Sequence, residues 1–226
     1  SCGQKRRKKR RAAIDAVGID NYMPLSDWQD ADTLAGNPDG FRHQEDMAEM
    51  RAMITGGEGF DWYYPDMAAR RNRDRAAISD GMAGKPWVFR YKDIESWWGN
   101  FHRERGTGGA ELPGHTAWTP RSKPIWFTEL GCPAIDKGSN QPNVFVDPKR
   151  SENALPYHSG GARNDAVQRR FLDAHHGWWQ GSGPEEGMVD ADHIFLWTWD
   201  ARPYPAFPED TALWSDGLNW QRGHWL

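Results

Sequence analysis

Four short apolar runs, each ending in polar or charged residues, stand out along an otherwise hydrophilic chain. They are Ile14–Asp20, Pro86–Tyr91, Pro124–Glu129 and His193–Asp200. Runs of this length, rich in β-branched and aromatic residues, predict buried strands whose C-terminal ends open into polar loops. Between them the apolar period lengthens to three or four residues. Met47, Met50 and Met53-Ile54 recur at helical spacing before Gly56-Gly57, a helix stop. Pro65 opens a second predicted helix over 66–78. Val167, Phe171, Leu172 and Trp178 mark a third, after the capping residues Asn164 and Asp165. Strands separated by helices predict βα units around a mainly parallel sheet. Residues 99–123 and 133–163 carry Gly, Pro, Asn and His without a period and read as long loops, a feature that in compact domains tends to accompany function.

The 226 residues suffice for one substantial domain. Mean hydropathy is −0.88, and no stretch approaches the about 18 consecutive apolar residues of a membrane span. Cys2 and Cys132 are too few for a disulfide framework and lack metal-ligand spacing. The net charge of −4 conceals an asymmetry. Without the seven cations from Lys5 to Arg11, the balance falls to −11, so the body of the protein is not expected to hold a polyanion such as nucleic acid nonspecifically. The basic run reads as a solvated tail over residues 1–13, ahead of one domain over 14–226. It stands where the apolar stretch of a signal peptide would begin, and the chain has no initiator Met, so Ser1 is read as not being the natural start.

Aromatic residues reach 13%, including 14 Trp. Such rings serve either as core or as ligand platforms. Asp61-Trp62-Tyr63-Tyr64, Trp97-Trp98 and Trp197-Thr198-Trp199 are the candidate platforms. In a parallel βα architecture, ligands sit at the carboxyl ends of strands. The residues at those positions are Asp20, Asn21 and Tyr22, then Arg90 and Lys92, then Glu129, and finally Trp199, Asp200 and Arg202. Glu129 is the most telling, because a carboxylate directly after Ile-Trp-Phe-Thr is costly to bury unpaired. A nucleophile or acid/base role and an ordinary salt bridge at the sheet rim both fit it. Glycosidic cleavage needs two carboxyl groups, about 5–5.5 Å apart for retention or about 6.5–9.5 Å for inversion.

Other signals point elsewhere only weakly. His175-His176 are adjacent on a predicted helix and cannot share a metal. Asp190-x-Asp192-His193 reads as a turn before a strand. Gly106-Thr107-Gly108-Gly109 lacks the Lys-Ser/Thr of a phosphate loop, and no Gly-x-Ser-x-Gly occurs. No metal or organic cofactor is called for.

Four strings, Asp15–Trp28 (DAVGIDNYMPLSDW), Gly84–Asp93 (GKPWVFRYKD), Lys123–Pro133 (KPIWFTELGCP) and Trp199–Pro208 (WDARPYPAFP), closely resemble the TIM-barrel-like domain of gene transfer agent and phage-tail baseplate proteins. The resemblance runs from about residue 14 to the end. It implies a (β/α)8 fold of glycoside-hydrolase-like type, located in the tail of a phage-like particle assembled in the bacterial cytoplasm, with other tail proteins and a polysaccharide or peptidoglycan-type glycan as partners. Phe-Thr-Glu-x-Gly is similar to the seventh strand of related barrel glycosidases, which implies that Glu129 is nucleophile or base. Asp20 and Asp200 become secondary carboxylates, with Asn21, Tyr22, Trp62, Arg90, Lys92, Trp126, Trp199 and Arg202 lining the cleft. The same resemblance places Asp15–Tyr22 on the fifth or sixth strand and the proton donor on the fourth. The chain is then the C-terminal portion of a barrel, poorly active alone. The alternative is a tail module that is structural or binds glycans without chemistry.

Overall fold

The computed structural model describes residues 14–81, 83–147, 151, 153–181, 183–198 and 201–224. In chain order the elements are β1 (Val17–Asn21), α1 (Asp32–Ala35), α2 (Met47–Ala52), β2 (Trp62–Tyr63), α3 (Met67–Asn72), β3 (Ala76–Ala77), α4 (Ile94–Gly99), β4 (Ile125–Leu130), α5 (Asp165–Trp179), β5 (Val189–Leu196), α6 (Ala206–Glu209) and α7 (Gly217–Gln221). Strands β1, β4 and β5 form a parallel sheet in that order, while β2 and β3 make a small antiparallel ribbon. Each crossover in the main sheet runs through helical segments, which is the βα connectivity a parallel pair requires. Among the described residues the sheet stays open, with β1 and β5 as its edges and no closed barrel.

Three of the four apolar runs enter these strands, the last only through His193–Leu196, with Trp197 and Thr198 in a turn. The run at 86–91 does not: Pro86–Val88 is a 3-10 turn closed by Phe89 N–H donating to Pro86 O, and Val88 and Phe89 are exposed. A proline at the first turn position favours this start, and the ladder the run would need is not offered to it. The helix expected over 66–78 is likewise shorter. Asp66 caps it by accepting from the Ala68 and Ala69 amides, but Arg73 adopts a left-handed conformation (φ 58°) and the chain leaves to form β3. The Arg73 guanidinium is then committed to Asp32 and the Asp27 carbonyl.

Helix α5 starts at the predicted caps. Asn164 accepts from the Val167 amide, and Val167, Phe171, Ala174 and Trp179 recur on one buried stripe. That stripe and Met50 of α2 join one core with Ile125, Phe127 and Leu130 of β4, each of which is fully buried. Phe127 meets Trp179 edge-on at 5.2 Å. The other face of the sheet, with Gly18, Asp20 and Thr128, is exposed. A sheet packed on one face only leaves its opposite side free for chemistry.

Candidate active site

Glu129 owes its position to one extra residue. Strand β1 pairs Ile19 with Phe127 but the next residue, Asp20, with Glu129, so Thr128 is bulged out of β4. Regular alternation would put Glu129 on the same side as Ile125 and Phe127, inside the core. With the bulge, the buried positions become 125, 127 and 130, and Trp126, Thr128 and Glu129 share the open face. Bulges of this kind re-aim side chains next to active sites.

Two hydroxyls hold the carboxylates there. Tyr22 Oη donates to Glu129 Oε2 at 2.6 Å, and Thr128 Oγ1 donates to Asp20 Oδ1 at 2.7 Å. Among the described residues, neither carboxylate has a Lys or Arg within ion-pair distance. Asp20 and Glu129 are register partners on neighbouring strands, whose backbones lie about 4.8 Å apart. The pair can therefore address one small ligand from the same side.

A second irregularity lies in β5. Between Ile125↔Val189 and Phe127↔Ile194, two steps along β4 face five along β5. The looped-out residues hold His193 flat against Trp126, with ring centroids 3.9 Å apart and planes at 6°. Asp190 stands 2.8 Å from His193 Nδ1 and also accepts from the Asp192 amide. The Asp-x-Asp-His string therefore lies inside the strand, and His193 belongs to the open face beside Trp126. The string was visible in the sequence, but the bulge that presents it was not.

The remaining predicted site residues fall elsewhere. Asn21 is fully buried and accepts from the Met23 amide. Trp62 lies under the Arg75 guanidinium at 3.8 Å, and Tyr64 donates to Asp27. Trp98 is core, with its indole N–H donated to Lys123 O. Lys92 is buried and donates to the Pro24 and Gly56 carbonyls; burial pushes its ammonium down to about 7. Arg90 and Lys92 line a cleft with Trp178 and Met188, beside the start of β5 and not its C-terminal end. They were assigned to a strand end because 86–91 was read as a strand. Arg202 is paired with Asp216 at 2.8 Å and stands over Phe207. Trp199 and Asp200 lie outside the described residues. No group of three His, Cys, Asp or Glu side chains among the described residues could hold a metal ion, and no described helix is long and apolar enough to cross a membrane.

A search of curated proteins finds no match. A comparison with protein families matches residues 9–208 to the GTA TIM-barrel-like domain, which spans most of the chain. The parallel βα units and the polar strand ends agree with that assignment, and the chain belongs to the family of TIM-barrel-like domains of gene transfer agent proteins.

Proposed function

We propose that this domain is a glycoside-hydrolase-like unit of a particle's tail baseplate and that it acts on cell-envelope glycans, with Glu129 as nucleophile or base. Asp20 orients a hydroxyl or water beside it, and Trp126 lines the sugar site. The observation that carries this reading is the bulge at Thr128. It turns Glu129 out of the core to the C-terminal end of the central strand, where a tyrosine hydroxyl is its hydrogen-bond partner. An ionisable side chain so placed, half-buried and without a cationic partner among the described residues, is more economically explained by chemistry than by packing. The three parallel strands then correspond to the last strands of a barrel, and the proton donor comes from a strand outside this sheet.

The open sheet favours one further reading, a tail module that binds glycans without cleaving them. One experiment separates the two. Reducing-end release from purified peptidoglycan is compared between the particle protein carrying this domain and its Glu129→Gln form. Loss of release with glycan binding retained supports the hydrolase. Release unchanged by the substitution removes Glu129 from catalysis, and glycan binding by both forms without any release favours the module.

A further inference from the structure

A cleft of about 740 Å³ among the described residues is not lined by Glu129. Its walls include Met188, just before β5, and Trp178 and Trp179 at the end of α5, which places it at the opposite end of the sheet. Its volume falls in the range of small-molecule sites.

Two cations on its wall have unmatched donors. The Arg90 guanidinium stands over the Phe60 ring at 4.9 Å, its Nη1 is 4.0 Å from Asp93, and its buried Nε–H has no hydrogen-bond partner among the described residues. Lys92 is 2% exposed and gives two of its three hydrogens to Pro24 O (2.7 Å) and Gly56 O (2.8 Å). Among the described residues no carboxylate lies within 4 Å of its Nζ. Glu58, Asp61 and Asp39, whose charges act on Lys92, are bound to Arg70, the Gly57 amide and Arg75 respectively. Glu185 binds Arg121 through both oxygens at 2.6 and 2.8 Å, Asp93 caps α4 by accepting from Ser96 N at 3.1 Å, and Glu95 is exposed. An unpaired buried donor is costly, and more so when charged.

The geometry points to this cleft as a binding site for a ligand bearing an oxyanion, phosphate or carboxylate, which Arg90 and Lys92 receive and which sits between Phe60 and Trp178. The depressed basicity of Lys92 agrees, since an anion beside it would restore its charge. The inference stands whether or not Glu129 is catalytic.

The test is thermal unfolding of the full chain at pH 7 in inorganic phosphate, in acetate and in chloride at matched ionic strength, repeated with Arg90→Gln. The expected result is a saturable rise in Tm with phosphate or acetate beyond chloride, with apparent Kd weakened at least tenfold by Arg90→Gln. A response to phosphate alone identifies a phosphorylated ligand, and a response to acetate alone a carboxylate. A readout independent of the variant's folding is the Arg90 Nε–H cross-peak of the unsubstituted protein, which should move along the same titration. Equal Tm in all three salts with an unmoved cross-peak overturns the site, as does an Arg90→Gln protein of unchanged Kd.

Discussion

Carboxylates in this protein live in two different settings. In the shell formed by residues 27–111, five of them are locked by arginines. Asp27 is 2.9 Å from Arg75, Asp39 is 2.6 Å from the same guanidinium, Asp32 accepts from Arg73, Glu58 from Arg70, and Asp80 is 2.8 Å from Arg105. The Arg105 hydrogen bonds hold the Asp80 carboxyl well below its usual range, and those of Arg42 do the same for Asp46. On the open face of the sheet, Asp20 and Glu129 have hydroxyl partners instead. On the proposed reading, the difference separates structure from function. An arginine fork fixes a carboxylate's charge and direction and thereby removes it from proton transfer, whereas a hydroxyl orients it and leaves it able to exchange a proton or attack.

The contrast can be broken most forcefully at Arg75. Arg75→Met strands Asp39 and leaves Asp27 with Tyr64 and Arg73, both carboxylates being little exposed, and is expected to cost about 3 kcal/mol in urea unfolding. Asp20→Asn on the open face should cost no more than about 0.5 kcal/mol in the same assay. Comparable losses at the two positions would erase the distinction.

Histidines extend it to pH. His175 is buried under α5, accepts from the Trp179 indole N–H, and burial depresses its pKa to about 3 from 6.5. The unfolded chain therefore takes up a proton at this residue near pH 6.5 that the folded chain refuses until about pH 3. Its contribution to stability accordingly falls as pH drops through that window, by up to about 1.4 kcal/mol per pH unit. His175→Gln should flatten that limb of the stability curve.

The smallest expected effect sharpens the role of the hydroxyls. Tyr22→Phe removes the 2.6 Å bond to Glu129 and should lower glycan turnover about tenfold, with the urea midpoint close to that of the unsubstituted protein. An unchanged rate would mean that Tyr22 neither orients nor supports Glu129.

Much of the frame was legible in the chain. The runs ending at Asp20 and Glu129 and the run that opens at His193 announced strands, and the Asn164 cap with its stripe announced α5, because periodicity and capping are local properties. Glu129 was legible for the same reason, as a charge at the end of an apolar run. Its orientation was not, since the bulge at Thr128 exists only in the register against β1. Nor were the arginine locks, whose partners lie far apart in sequence, Arg73 with Asp32 and Arg75 with Asp39. The run 86–91 misled because short apolar stretches look alike in a strand and in a turn. That single ambiguity assigned Arg90 and Lys92 to a strand end where the structure has a turn.

The central claim is that Glu129 is held for chemistry and not for stability. The direct measurement takes both readouts from one substitution, peptidoglycan turnover and urea midpoint of the particle protein with Glu129→Gln. The account predicts turnover reduced about 1,000-fold or more with the midpoint unmoved. A midpoint lowered as far as by Arg75→Met, with turnover intact, would contradict it.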